Sequence, residues 1–463
     1  MKDLFSYILE KGMSLKDEKL ADPKSPNELM ESFDLNLESK AYSKNPKEIV
    51  DAIFKNSVNT QNPRFLNQLY GGSTQESWVG EMLVSILNTS MATYEIAPLA
   101  TLMEKELISG VNEAVGFSAV EGIMAPGGSY ANMLGVQCAR HAKNPDLKEN
   151  GMYESSKYKV FVSKAAHYSS EKSLVLMGLG TSSLVLVDID EDKKMKVESL
   201  KSAVKACIAD GDIPLCVVST AGTTVWGSFD PIEETDKICK EFDIWHHVDA
   251  AWGGLALWSP HKNKLFKGLE EVDSLTIDFH KLFASTLTKG MFLTSRKNVL
   301  RGANSGGGTK YIFHNDDEEA VNYDTGTYAI QCGRKVDSLP VWFQWKMGGT
   351  EQFVNKASEL YELASWAVEF VSNKPAEYKL LLSPEYMNIC FQILPGDDKI
   401  DVGEFNRKVR ARLMERGNFM VNFSSTEKDG AFFRLVLSHW GLKQAVLEEF
   451  FKELEDIKEE LKA

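Results

Sequence analysis

Two stretches of the 463-residue chain carry side chains whose types and order suit chemistry on a flat, electron-withdrawing ring. These are HVDAAWGG (His247 to Gly254) and, after an expected helix and a further strand, the pair His280-Lys281. A pyridine ring used as an electron sink has to stay protonated at its nitrogen. A carboxylate at the end of a buried strand holds that proton through a charge-assisted hydrogen bond, and Asp249 has the type and place for it. Such a bond contributes roughly 1.5–3 kcal/mol in a protein. The small residues Ala250 and Ala251 let a flat ring approach the backbone. Lys281 follows the apolar run SLTI, so its amine can be turned toward an aldehyde and exchange with an incoming amino group. His280 beside it is a candidate for contact with a phosphate or a substrate carboxylate. A loop Asp or a surface Lys alone is ordinary; their occurrence together, in this order, carries the reading.

An anion cradle precedes them in APGGSYANM (Ala125 to Met133). Gly127 and Gly128 let the backbone close on a phosphate, Ser129 adds a hydroxyl, and the N–H groups of a helix predicted to start there favour a dianion. His167, in SKAAHYSSEKS, falls between a predicted strand and a predicted helix, where its ring can stack on a pyridine face; a capped or exposed loop histidine is the alternative. STAGTTVWGSFDP (Ser219 to Pro231) ends the run PLCVV with hydroxyls and glycines. Thr220 and Thr223 are thus candidates to reach a ring oxygen or a substrate carboxylate, although turn chemistry alone accounts for them too.

The elements that must position these groups are legible from patterning. Between about 100 and 345, β-branched runs such as YKVFVS, SLVLVDID, PLCVVST and SLTIDF alternate with helix-like or turn sequence, the signature of a mostly parallel sheet wrapped by helices. Residues 1–100 read as a helical arm, 101–345 as a large domain, and 346–463 as a small α+β domain closed by an apolar helical stripe from Leu442 to Leu461. A formal charge of -14 argues against nucleic acid or an anionic lipid surface as partner. No apolar run approaches the ~20 residues needed to span a bilayer, and the opening stretch lacks the pattern of a secretory signal. Six scattered cysteines without a CxxC pair or a companion histidine fit free thiols in a reducing compartment. A cytoplasmic location and no structural metal are expected. GLGTSS (Gly178 to Ser183) lacks the third glycine of a dinucleotide fingerprint.

Taken in order, NPRFLNQLYGG, NTSMATYEIAPLATLMEKEL, PGGSYANM, the HYS histidine, TAGTTVWGSFDPI, HVDAAWGG, HK and DTGTYAIQCGRKVDSLPVWFQWK resemble the group II pyridoxal-phosphate decarboxylases over roughly residues 60 to 440. The YEIAP, Gln-Cys-Gly-Arg and Asp-Thr-Gly stretches are most similar to the glutamate and cysteine sulfinate decarboxylase branch. The resemblance implies fold type I, the aspartate-aminotransferase-like architecture. Its central, mostly parallel seven-stranded sheet has helices on both faces, with a smaller α+β C-terminal domain and a homodimer with sites at the interface. It implies pyridoxal 5'-phosphate as cofactor and an acidic amino acid (cysteine sulfinate, aspartate or glutamate) as substrate. Lys281 would condense with the cofactor aldehyde, Asp249 would pair with the ring nitrogen, His167 would stack, Gly128 and Ser129 would bind phosphate, and Gln68 and Arg434 would hold substrate carboxylate. Tyr311, in KYIF, matches a loop tyrosine that protonates the carbon left when carbon dioxide departs; an aromatic under a glycine-rich turn is the alternative. The sequence departs from the family at Asp278, where many relatives carry Asn. It departs again at Ser90 and Ala92, where glutamate-type members carry Asn and an aromatic residue; Ser90 tilts the expectation toward the sulfinate type. The rival readings are another reaction on the same cofactor, oxidative deamination or sulfur elimination, and a non-catalytic binding protein of the same fold.

Overall fold

The computed structural model describes residues 2–33, 35, 37, 45–152, 157–306, 312–313 and 322–462. The chain forms two compact units, Met1–Gly72 with Leu360–Ala463, and Ser73–Glu359. Counted along the chain, β1 (Phe65–Leu66) belongs to the first unit. The sheet of the second is made by β2 (Glu121–Ala125), β3 (Tyr158–Ser163), β4 (Leu184–Val187), β5 (Ile213–Thr220), β6 (Trp245–Ala250), β7 (Ser274–Asp278) and β8 (Gly290–Thr294). The first unit then resumes with β9 (Tyr378–Leu380), β10 (Asn388–Ile393), β11 (Met420–Thr426) and β12 (Gly430–Val436).

These units divide the chain at 72/73 and 359/360, where patterning placed boundaries near 100 and 345. The difference has local causes. Within the first unit β1 pairs in parallel with β11, so the amino-terminal segment joins the carboxyl-terminal sheet. Within the second, helix Gln75–Leu87 packs on helix Ser338–Gly348, because Gly80 has no side chain: a Cβ there would come within 2.5 Å of the Pro340 Cα.

The seven-stranded sheet has the order β2-β8-β7-β6-β5-β3-β4. Only β8 runs against its neighbours, so β2 and β7, both antiparallel to it, run the same way as the rest. This is the mostly parallel sheet expected from the alternating pattern. Side chains alternate between two faces along a strand. Val160 and Val162 of β3 and Cys216 and Val218 of β5 enter one core with Ala131 and Leu134 of helix Gly128–Lys143. Phe161 and Val217 enter the other, with Leu200 and Val204 of helix Val197–Ala209 and Ile238 of helix Ile232–Glu241. Burial on both faces explains why these strands read as unbroken apolar runs.

The parallel arrangement also gathers the carboxyl ends of β2, β3, β5, β6 and β7 on one edge, where ligands bind in open α/β sheets. One end is braced by a buried ion pair. Glu104, on helix Pro98–Val115, accepts the N–H of Met124 in β2 at 2.8 Å and takes Arg334 in a two-pronged contact at 2.8 and 3.0 Å. Arg334 also donates to the Thr325 hydroxyl at 2.6 Å.

In the first unit the sheet order is β1-β11-β12-β10-β9. Helix Gln444–Lys462 buries Leu447, Phe450, Phe451, Leu454 and Ile457, most of the stripe seen in the sequence. Among the described residues no helix is long and apolar enough to cross a membrane.

Removing one partner of a buried ion pair strands the other charge, at a cost of roughly 3–5 kcal/mol. Glu104→Ala should therefore lower the unfolding free energy by about that amount in urea denaturation, whereas Glu104→Leu combined with Arg334→Met should lose clearly less.

Candidate active site

At the carboxyl edge of the second unit's sheet lies a cavity of about 290 Å³. The turn after β2 supplies Gly127, Gly128 and Ser129 to its wall. Gly127 has φ of +96°, which disfavours any side chain. A Cβ on Gly128 would lie 2.7 Å from Asp278 Oδ2 and 2.9 Å from the Ala251 Cβ, so glycine is required by close packing. Helix Gly128–Lys143 begins here and points its N-terminal N–H groups at the space.

Asp249, on β6, is 6 % exposed. Its Oδ1 accepts the Ala251 N–H at 3.0 Å and its Oδ2 accepts the Asn132 side-chain N–H at 2.7 Å. Asn132, in the APGGSYANM stretch, is a cavity residue that sequence reasoning missed; it lies one turn beyond Gly128 on the same helix face, and that i, i+4 spacing is the signal the sequence offers for it. Asn132 Oδ1 in turn accepts from His247 Nε2 at 3.1 Å, and the Ser274 hydroxyl donates to His247 Nδ1 at 2.8 Å. Burial pushes the His247 imidazole down to about 4, with Asp249 opposing that shift and His246 adding to it.

His167, between β3 and helix Ser169–Leu176, also lines the cavity; its Nδ1 accepts the Ser169 N–H at 3.2 Å. Burial is the main cause that lowers its pKa; Asp249 works against this and Lys281 with it. Thr220, at the end of β5, lines the cavity, and its buried hydroxyl has no hydrogen-bond partner among the described residues. Lys281, just past β7, places Nζ 3.1 Å from Asp278 Oδ2. His280 sits beside it, buried, with its pKa lowered chiefly by that burial. The carbonyl of Lys289 already accepts the Phe279 N–H at 2.8 Å, and the Lys289 N–H points to His280 Nδ1 at 3.1 Å. His280 Nδ1 lies at the same 3.1 Å from the Lys289 carbonyl, so the Lys289 backbone engages this nitrogen and Nε2 is left facing Asp278 Oδ2 at 3.8 Å.

Lys281, Asp249, His167, His280, Thr220, Ala251, Gly127, Gly128 and Ser129 thus converge on one cavity. Thr223 does not line it: that side chain is buried and its hydroxyl accepts the Ser228 N–H at 3.1 Å, while Thr224 reaches the wall instead. Nor do Ser90 and Ala92. They lie in the same unit against residues 326–334, with Ser90 Oγ accepting the Arg334 N–H at 3.2 Å and the Ala92 carbonyl accepting the Gly326 N–H at 3.0 Å. Gln68 and Arg434 belong to the first unit. The Gln68 carbonyl accepts from the Ser438 hydroxyl at 3.1 Å, and Arg434 donates to the carbonyl of neighbouring Asn67 at 3.3 Å. Arg434 sits on the interior strand β12, 6 % exposed, and burial lowers its pKa. Tyr311 lies outside the described residues.

Comparisons with known proteins identify the family. The pyridoxal-dependent decarboxylase conserved domain matches residues 26–394. Human cysteine sulfinic acid decarboxylase is 35 % identical over 98 % of this chain and 94 % of its own length. Drosophila melanogaster glutamate decarboxylase is 32 % identical over 97 % of this chain and 91 % of its own. The crystal structure of mouse CSAD superposes with a TM-score of 0.91 at 31 % identity, covering 98 % of both chains.

The buried His247 gives a pH signature. Its folded pKa of about 4 lies below the usual 6.5, so between those values the unfolded chain binds a proton that the native chain refuses. Its stabilising contribution is complete above the upper value and is lost as pH falls toward the lower one. Asp230, which burial pushes up to about 6, acts with the opposite sign in the same window, so the comparison must be between variants. From about pH 7 to about pH 4.5, wild type should lose about 2–3 kcal/mol more unfolding free energy than His247→Gln, read from urea midpoints.

Proposed function

The chain belongs to the pyridoxal-dependent decarboxylase family, and from that premise we propose that it removes the α-carboxylate of an acidic amino acid, cysteine sulfinate, aspartate or glutamate, as carbon dioxide. It is a pyridoxal-phosphate-dependent carboxy-lyase of fold type I. The cavity residues fit this cofactor: a glycine cradle at a helix N-terminus for the phosphate, a buried and doubly held carboxylate for a ring N–H, and a lysine amine for an aldehyde. When bound, pyridoxal phosphate supplies an aldehyde that condenses with amines and a protonated ring that withdraws electrons from the carbon losing its carboxylate.

The chain's own residues divide the remaining work. Asp249, with both oxygens fixed by Asn132 and the Ala251 N–H, would hold a ring N–H. Lys281 would supply the amine that holds the cofactor aldehyde. His167 would lie against the cofactor face. Ser129, the backbone at Gly127 and Gly128, and the His280 ring would hold the phosphate, and Thr220, whose hydroxyl has no partner among the described residues, would be available to a ring oxygen. Tyr311 is assigned, by resemblance, the return of a proton to the substrate carbon.

The observation that carries the acidic class is Arg434, a buried guanidinium on β12 with Gln68 close by in its own unit. Arginine matches a carboxylate or sulfinate with two parallel N–H bonds. The relatives named for cysteine sulfinic acid and glutamate support the same class. A homodimer is part of the proposal: Val79, Leu83, Ile86 and Leu87 on helix Gln75–Leu87, and Leu99 and Leu102 on helix Pro98–Val115, leave apolar surface uncovered in one chain, with Ile86 75 % exposed.

Carbon dioxide release from a panel of cysteine sulfinate, aspartate, glutamate, cysteate and tyrosine tests the reading. One acidic member should turn over and tyrosine should not; turnover of tyrosine alone overturns the class. Lys281→Ala should abolish both turnover and the absorption band of the lysine-linked cofactor. Arg434→Ala should raise KM for the acidic substrate by roughly ten- to a hundredfold, the 1.5–3 kcal/mol of a charged hydrogen bond.

A further inference from the structure

One group in the phosphate end of the cavity has the wrong polarity for its surroundings. The helix N-terminus at Gly128, the Ser129 hydroxyl and the Lys281 ammonium all present protons or positive charge. Asp278 presents only acceptors. It is 2 % exposed, with Oδ2 at 3.1 Å from Lys281 Nζ and 3.8 Å from His280 Nε2, the latter too long for a hydrogen bond. Its Oδ1 has no hydrogen-bond partner among the described residues. The carboxylate is packed against the cradle itself, since a Cβ on Gly128 would meet Oδ2 at 2.7 Å and one on Gly290 would meet Oδ1 at 2.9 Å. It thus lies against the backbone of β8 and of the helix start while facing the cavity.

We propose that Asp278 weakens the hold of this site on the cofactor's phosphate, by occupying the positive field of the cradle before the cofactor arrives and repelling the phosphate once it is bound. Two physical terms act in the same direction. Burial leaves little solvent to screen a carboxylate from a phosphate a few ångströms away, and the carboxylate also ties up the Lys281 cation that would otherwise attract the incoming anion. Neither term touches a ligand without a phosphate to the same degree. An amide at position 278 keeps the volume, removes the charge and adds an N–H that can donate to the same anion.

The inference rests on the assignment of pyridoxal phosphate to this cavity. Cofactor-free wild type, Asp278→Asn and Asp278→Ser are titrated with pyridoxal phosphate and with pyridoxal, which has the same ring and aldehyde but no phosphate, following absorbance and tryptophan fluorescence. Both neutral variants should bind pyridoxal phosphate at least about tenfold more tightly, with pyridoxal changed by no more than about twofold. Inorganic phosphate should compete with pyridoxal phosphate more effectively in the variants than in wild type. Unchanged or weaker affinity for pyridoxal phosphate in both variants overturns the proposal. Equal tightening for pyridoxal also overturns it, because the effect would then run through Lys281 alone. Lys281→Ala serves as the control on the assignment: persistence in it of the absorption band of the lysine-linked cofactor, as distinct from that of free pyridoxal phosphate, overturns the cavity reading and this inference together, whereas loss of that band with unaltered affinities in the Asp278 variants overturns this inference only.

Discussion

A carboxylate buried in a sheet has to be held by donors, and Asp249 is the group around which the polar order of the larger unit is arranged. Because Asp249 only accepts, Asn132 must turn its N–H2 toward it, which leaves Asn132 Oδ1 for His247. His247 must then carry its proton on Nε2, so Nδ1 accepts from Ser274, and Ser274 Oγ accepts from the Trp245 indole N–H at 2.8 Å. The chain begins at a group that can only donate and ends at one that can only accept, so every link has a single orientation. A doubly protonated His247 cannot accept from Ser274, and burial already opposes that state. Gly135 completes the arrangement: a Cβ there would lie 2.7 Å from His247 Nδ1.

The same constraint shapes the surrounding topology. A buried charge at the end of β6 is useful only if its neighbours also end on that edge, and the parallel run of β2, β3, β5, β6 and β7 brings the cradle, His167, Thr220 and Lys281 there from segments far apart in sequence. The one reversed strand, β8, closes the far side by returning Lys289 and Gly290 beside His280 and Asp278. Gly128 and Gly290 then let backbone come close where a side chain would clash, and Gly127 supplies the positive φ of the turn. The Glu104–Arg334 pair fastens the end of β2 just ahead of the cradle, so the anion-binding turn is set by charges that do not themselves line the cavity.

Much of this was legible in the sequence because it rests on local pattern. Runs such as YKVFVS and SLTIDF give the strands, PGGS at a predicted helix start gives the cradle, and Asp249 and Lys281 are recognisable by type and order. What was not legible depends on distant partners. Asn132 and His247 look like ordinary helix and strand residues until folding places their side chains 3.1 Å apart. Thr223 and Thr224 are equivalent in a turn-rich stretch, and only the Gly222–Ser228 loop, with its bonds back from Ser228, decides which hydroxyl is consumed. The grouping of residues 1–72 with the carboxyl-terminal sheet hangs on β1, two residues long, whose pairing with β11 no local propensity announces.

Asp249 and Asp278 show how one residue type on adjacent strands can be held in two different ways. Asp249 has a donor on each oxygen, so its position and charge are fixed before anything binds. Asp278 has a cation on one oxygen and, among the described residues, no hydrogen-bond partner on the other, so its balance depends on where the Lys281 amine is. A buried acceptor without a donor is costly, and here the nearby ammonium offsets that cost only while Lys281 points at it. Any chemistry that draws the lysine toward an aldehyde also removes the nearest cation from the carboxylate beneath the cradle. On the proposed reading, the covalent end of the site and its phosphate end would be coupled through one side chain, over a distance of about 3 Å.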